Sequence, residues 1–213
     1  MTRTTPAEAW SELQAGNLRF IEGAPLHPRQ DAERRTALAH SQAPTVALFG
    51  CSDSRLAAEV IFDQGLGDLF VVRNAGQVLG DSVVGSLEYA VAVLGVSVIV
   101  VLGHDECGAV RAAIDATAKD AAPLPPQIRF LTDRIAPAVR AVAHTAPVTG
   151  AIDPSTVDAF EVGRVHLRNT VAGLLEHSEI ISAAVADGTL AIVGANYVLA
   201  EGRAVPDSVV GLA

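Results

Sequence analysis

The sequence predicts an α/β fold: a mainly parallel central sheet, four parallel strands plus a short antiparallel edge strand, flanked by helices and preceded by an N-terminal helical arm. Three observations lead there. Apolar runs without alternation, Val96-Ser97-Val98-Ile99-Val100-Val101-Leu102 above all, read as strands buried on both faces. Strand-like and helix-like runs alternate along the chain, the pattern of a doubly wound sheet. Half the residues are hydrophobic but only 4% are aromatic, so the core is mostly Ala, Val, Leu and Ile, which suits strands covered on both sides. At 213 residues the chain is read as one domain, with residues 1–40 as the arm and 41–213 as the α/β core.

Thr5-Pro6-Ala7-Glu8 is a capping-box signature with proline at the first helical position. The helix it opens carries Trp10, Leu13, Asn17, Phe20 and Ile21 on one face, to be packed on its own domain or laid across a partner subunit. Gly23 to Gln30, with Pro25 and Pro28, is a loop, and Asp31 to Ala39 a short helix. Thr45–Gly50 is the first strand and Leu56–Asp63 a helix. Gly65-Leu66-Gly67-Asp68 is a turn, since it lacks both the Gly-x-Gly-x-x-Gly spacing and the Gly-Lys-Ser/Thr of phosphate loops. The second strand is Leu69–Arg73, and Asn74-Ala75-Gly76 loops into a helix capped by Asp81 or Ser82 and running to Leu94. Val96–Leu102 is the third strand, central in the sheet.

Cys107 to Ala118 is helical, and Ala121-Ala122-Pro123-Leu124-Pro125-Pro126 is a hinge or loop. Ile128–Val142 is helical, with Pro137 expected to kink or restart it. After a polar loop over Thr145–Pro154, Ser155 caps a long helix to His177, and Glu179–Ala186 forms a shorter one. Leu190–Leu199 is the fourth strand, and Glu201-Gly202 turns the chain into a short last strand around Arg203–Val205.

The bulk charge narrows the partners. A formal net charge of −9 argues against nucleic acid and acidic membrane surfaces, which need clustered Lys and Arg. The start, Met1-Thr2-Arg3-Thr4-Thr5-Pro6, lacks the apolar core of a signal peptide. The longest apolar run, Ala90 to Gly103, is about 14 residues, too short to span a bilayer at ~20. A cytoplasmic, reducing location is the expectation, and there two cysteines favour metal binding or catalysis over a structural disulfide.

Both cysteines sit in two polar turns that follow strands: Gly50-Cys51-Ser52-Asp53-Ser54-Arg55 and Gly103-His104-Asp105-Glu106-Cys107-Gly108. If the first and third strands are neighbours, Cys51, His104 and Cys107 converge outside the carboxyl ends of the sheet, where open α/β sheets bind ligands. Two thiolates and an imidazole suit Zn²⁺, and three protein ligands leave a fourth position open, as catalytic zinc sites do. The plainer alternatives are small buried cysteines and a hydrogen-bonded core histidine. Asp53 and Arg55 would otherwise be a helix cap and a solvated charge. A phosphatase loop needs Cys-x5-Arg, whereas the spacing here is Cys-x3-Arg. His27, His40, His144, His166 and His177 are expected at the surface.

Cys51-Ser52-Asp53-Ser54-Arg55 with Gly103-His104-x-x-Cys107-Gly108 resembles the β-class carbonic anhydrases. The likeness spans nearly the whole chain, since Gly16-Asn17-Leu18-Arg19-Phe20, Arg73-Asn74-Ala75-Gly76 and Ser86-Leu87-Glu88-Tyr89-Ala90-Val91 are similar to the family's other recurrent segments in the same order. The resemblance implies one Zn²⁺ per subunit on Cys51, His104 and Cys107, a zinc-bound hydroxide as nucleophile, and reversible hydration of CO₂ to bicarbonate. It implies that Asp53 accepts the hydroxide's hydrogen bond and that Arg55 keeps Asp53 ionised. It also implies that Gln42 hydrogen-bonds substrate, and that Phe70, Ala75 and Tyr89 form an apolar CO₂ pocket shared with a neighbouring subunit. A homodimer, or a tetramer built from dimers, follows from the same likeness.

Zinc brings the pKa of bound water to about 7, carbonic anhydrase itself being the type case. Thiolate donors acidify it less than imidazoles do, so activity is expected to rise toward alkaline pH. One departure concerns a regulatory bicarbonate pocket that some relatives build from Trp, Arg and Tyr. Arg73 and Tyr197 match two of these, but Leu48 stands at the Trp position. An open site, with Asp53 off the metal at neutral or higher pH, is therefore expected. The rival activities are hydrolysis of COS or CS₂ on the same scaffold, and a non-catalytic zinc or redox module.

Overall fold

The computed structural model describes residues 4–144 and 151–212. Met1–Arg3 and most of the predicted loop 145–154 lie outside the described residues. Among those described, five strands form one sheet: β1 (Val46–Cys51), β2 (Leu69–Asn74), β3 (Val98–His104), β4 (Ala191–Val198) and β5 (Arg203–Val210). Their order is β2-β1-β3-β4-β5, with β1 to β4 parallel and β5 antiparallel to β4. The helices are α1 (Pro6–Ile21), α2 (Ala32–Ala37), α3 (Ala58–Ile61), α4 (Asp81–Ala92), α5 (Gly108–Asp115), α6 (Pro126–Val142), α7 (Ala159–His177) and α8 (Glu179–Ala186).

Side-chain alternation splits the core into two layers. Val46, Leu48, Val98, Val100 and Leu102 face a cluster that includes Trp10 and Leu13 of α1, Ile61 of α3, Val110 of α5 and Ile135 of α6. Ala47, Phe49, Ile99 and Val101 face the other side, against Leu87 of α4, Leu167 and Leu174 of α7, and Ile181 of α8. Every residue of β1 and β3 is buried, which is why these strands read as unbroken apolar runs. From β1 the chain crosses to β2 on one side, while β3 and β4 build outward on the other. The crevice at their carboxyl ends therefore opens between β1 and β3.

Several element ends differ from the sequence reading, each for a local reason. The helix predicted over Leu56–Asp63 shrinks to α3, because Asp63 adopts φ +46° and its carboxylate is engaged elsewhere. Gly80 rather than Asp81 or Ser82 occupies the cap position of α4, with no side-chain cap bond. Asp158, not Ser155, caps α7 by accepting from the Phe160 and Glu161 amides; Ser155 lies in a separate turn closed by Asp153. α6 passes through Pro137 as one helix. The last strand runs on to Val210, since Pro206 falls at a bulge of an edge strand where a missing N–H disrupts least.

The arm is fixed to its own chain. The Thr5–Glu8 capping box forms, with the Glu8 amide donating to Thr5 Oγ1 at 3.3 Å and the Thr5 amide donating to Glu8 Oε2 at 2.9 Å. Gly16 packs so closely that a Cβ there would collide with the Phe62 carbonyl. Asn17 is buried and bridges three segments: Nδ2 donates to the Ile61 and Gly202 carbonyls, and Oδ1 accepts from the Ala204 amide. Asp63 completes the joint, accepting from Arg19 Nε at 2.6 Å and from the Leu26 and His27 amides. Asp63→Ala should strand those two amides and one guanidinium, costing about 2 kcal/mol. For a chain of this size a melting point lower by ~4–8 °C is expected in calorimetry.

A second buried carboxylate, Asp207 on β5, accepts from Arg164 and Arg168 of α7 at 2.7 and 2.6 Å. Burial opposes ionisation of Asp63 and Asp207, yet amide and guanidinium donors hold both below the usual carboxylate range. Because their folded values lie below the unfolded ones, their stabilisation is complete above about pH 5 and lost as pH falls through the folded values. Thermal melts should therefore be flat near neutrality and fall steeply below about pH 4, and the fall should shrink in Asp207→Asn.

Candidate metal centre

β1 delivers Cys51 as its last residue, β3 delivers His104 as its last residue, and Cys107 occupies the cap position of α5. Adjacent pairing of β1 and β3 brings them together: the two sulfurs and an imidazole nitrogen all lie within 4.8 Å of one another. All three residues are buried, at 5%, 4% and 7% exposure respectively. The connecting turn is pinned to the next strand. The Asp105 amide donates to the Tyr197 carbonyl at 3.2 Å, and Asp105 Oδ1 accepts from the Leu199 amide at 2.9 Å.

The protonation of His104 follows from its neighbours. Nδ1 lies 2.7 Å from the Asp105 carbonyl, which can only accept, so Nδ1 carries the hydrogen. Nε2 is then a bare lone pair, buried, and without a hydrogen-bond partner. Such an orphan beside two sulfurs is the donor geometry of a metal ligand, with the carbonyl fixing the tautomer.

The sulfurs tell the same story. A hydrogen bond from Cys107 pulls Cys51 down to about 4, against burial and with help from His104 and the Gly76 and Asp53 amides. Cys107 is pushed up by that shared bond, by burial and by the Cys51 charge. Burial disfavours a charged His104 ring, but the nearby Cys51 sulfur and its charge outweigh it and raise the imidazole. Two buried sulfurs this close cannot both ionise unaided, so one keeps its proton. A divalent cation would replace that proton and neutralise both thiolates. Two sulfurs and one nitrogen, with no fourth Cys or His among the described donors, fit a zinc site with an open position.

Asp53 and Arg55 form a bidentate pair on the same turn. Arg55 Nε donates to Asp53 Oδ1 at 2.9 Å and its terminal nitrogen to Oδ2 at 2.7 Å, while the Arg55 amide also reaches Oδ1. The guanidinium holds the Asp53 carboxyl well below the usual range. Arg55 also donates to the Glu106 carbonyl at 3.2 Å, tying the two polar turns to each other. Arg73 donates to the Cys51 and Asp53 carbonyls at 2.9 and 2.7 Å, so it braces this turn. Tyr197 is buried opposite His104 on β4.

The other predicted residues lie apart. Ala75 is exposed and next to Gly76, beside the donors. Phe70 and Tyr89 meet, with ring centroids 6.2 Å apart, but Phe70 pairs with Ala47, four residues or ~13 Å along the strand from Cys51. Gln42 is exposed and precedes the amino end of β1, whereas Cys51 closes its carboxyl end. Within one chain, then, Gln42, Phe70 and Tyr89 are not brought to the donor cluster.

Two features escaped the sequence reading. The Gly76 amide donates to Cys51 Sγ at 3.3 Å, and no residue-type pattern announces a backbone donor. His166, expected at the surface, is only 4% exposed, while His27, His40, His144 and His177 are exposed as expected. Its position was readable: Val162, His166 and Thr170 recur at helical spacing on the buried face of α7.

A family model described as carbonic anhydrase matches residues 46–204. The chain is 50% identical over 206 residues to carbonic anhydrase 2 of Mycobacterium tuberculosis, covering 96% of this chain and 94% of that one. It is 48% identical over 203 residues to the carbonic anhydrase of Mycolicibacterium smegmatis, at 95% and 94% coverage. Among solved structures it is similar to a tetrameric β-carbonic anhydrase of Sordaria macrospora, with 27% identity, a TM-score of 0.66, and 81% and 84% coverage. Strand order, donor set and these likenesses agree: the chain belongs to the β-carbonic anhydrase family and is a zinc lyase that interconverts carbon dioxide and bicarbonate.

Proposed function

We propose that Cys51, His104 and Cys107 hold the zinc and that Asp53, kept ionised by Arg55, orients the attacking group. The observation that carries this reading is the buried, unpartnered Nε2 of His104 facing two sulfurs within 4.8 Å. Zinc at this position supplies the Lewis acidity that makes a nucleophile from water near neutral pH. The chain's own groups do the rest. Arg55 occupies both Asp53 oxygens, so the carboxylate stays charged and tied to a partner on its own turn, which supports the open form. Charged and fixed, Asp53 accepts the O–H of the attacking group and leaves its lone pair directed at the carbon of CO₂.

Gln42, Phe70 and Tyr89 are assigned to the substrate pocket of a second copy, with Ala75 contributed in cis. Their distance from the donors in one chain supports this, as does the apolar, half-exposed β2 edge. Tyr89 and Val93 of the adjoining α4 segment are 47% and 63% exposed, surface that a dimer would cover. Residues 1–40 serve as the arm of a single domain completed by 41–213. A reducing, cytoplasmic setting is consistent with two free cysteines, and among the described residues no helix is long and apolar enough to cross a membrane.

Zinc analysis and stopped-flow CO₂ hydration on one preparation test the reading, with one zinc per chain and activity abolished by chelation as the expected result. Metal-free protein with full activity overturns it, and faster sulfide release from COS than CO₂ hydration would move the substrate assignment. Light scattering should give a mass of at least twice 22.0 kDa. A fully active monomer removes the shared pocket.

A further inference from the structure

Gly76 is held from both sides. Its amide donates to Cys51 Sγ at 3.3 Å, and its carbonyl lies 2.8 Å from Nε2 of His166, which comes from the middle of α7. The loop between is in an unusual conformation, with Gly76 at φ +78° and Gln77 at φ +40°. A side chain at 77 in that region is strained and persists only where neighbours enforce it. Asn74 grips the loop base, its amide donating to the Val78 carbonyl at 2.8 Å and its oxygen accepting from the Val78 amide at 2.9 Å. A Cβ at Gly76 would sit 2.8 Å from Ala109 Cβ and 3.0 Å from Ile135 Cδ1, so α5 and α6 close the remaining space.

The His166 ring is in a defined state. The Gly76 carbonyl can only accept, so Nε2 carries the hydrogen. Burial lowers the basicity of the ring, which stays neutral. The His166 ring bonds the carbonyl of the residue whose amide donates to Cys51. It also borders a cavity of about 620 Å³ with Leu79, Glu88, Arg134, Thr170 and His177.

We propose that His166 is a positioning residue that, through Gly76, holds an N–H on Cys51 Sγ and thereby sets how much charge that sulfur gives the zinc. The inference rests on Cys51 being a zinc ligand. An N–H···S bond draws charge from a thiolate, and outer partners of metal ligands commonly govern affinity or activity by ~10–100-fold.

Cobalt(II) substituted for zinc gives the readout, through the thiolate-to-cobalt charge-transfer band. His166→Phe should shift this band to longer wavelength, because the sulfur loses its donor, and should lower kcat/KM about tenfold. His166→Gln, which keeps an N–H for the Gly76 carbonyl, should restore the wild-type band. His177→Gln, on the same cavity, should leave it unchanged. Should His166→Phe fail to fold by circular dichroism, His166→Met fills the space with an adaptable apolar chain and carries the same comparison. A band present in wild type but unmoved in the Phe or Met variant, or moved equally by His177→Gln, overturns the inference alone. Absence of any charge-transfer band in the wild-type cobalt protein overturns the ligand assignment and the inference with it.

Discussion

Cys51→Ser is expected to remove zinc and carbon dioxide hydration together. A serine hydroxyl keeps its proton near neutral pH, so the site would retain one thiolate and one imidazole, too few donors to hold the ion against buffer. Hydration should fall by more than about 100-fold, beyond the ~10–100-fold that losing an outer partner costs. The fold should survive, since Cys51 is small, already lies at a strand end, and is exchanged for a side chain of similar size. Metal analysis, circular dichroism and stopped-flow hydration on the same sample make the comparison. A variant with full zinc and full activity would remove Cys51 from the centre and leave the buried lone pair of His104 without an explanation.

Asp53→Asn should separate chemistry from metal binding. The substitution keeps size and removes charge, so Arg55 loses its partner while the three donors stay in place. One zinc per chain is expected to remain, with hydration reduced by about 10²–10⁴, the range for a positioned proton-handling side chain. Arg55→Ala is the companion. Without the guanidinium, Asp53 rises toward an ordinary carboxylate value near ~3.9, which still leaves it ionised at pH 7. Loss of activity in that variant therefore reports lost orientation rather than protonation, and it should be as large at pH 9 as at pH 7. A defect confined to low pH would mean that Arg55 acts only through the charge state of Asp53.

The two polar turns were legible because their chemistry is written in rare residues. The chain has two cysteines, both fall directly after strand-like runs, and a histidine precedes the second at Cys–His spacing. Their convergence still depended on β1 and β3 being neighbours, which local pattern cannot fix and the sheet order supplies. The Asp53–Arg55 pair was legible too, since two residues on one turn need no tertiary contact to meet. Helix ends were read less well: Asp158 and Ser155 are equally good caps by type, and only the path of the chain selects Asp158.

By itself the sequence determined the layered α/β architecture, since unbroken aliphatic strands have no stable place except between helices. It singled out Cys51, His104 and Cys107 as well, which the structure brings within 4.8 Å of one another, because residue type fixes which atoms can bind a metal. Tertiary structure alone decided the rest. It buried His166 beneath the loop, aimed the Gly76 amide at Cys51, and left Gln42, Phe70 and Tyr89 far from the donors of their own chain. The reason is physical: backbone amides carry no sequence signature, and whether a polar side chain is buried depends on what packs over it from distant parts of the chain.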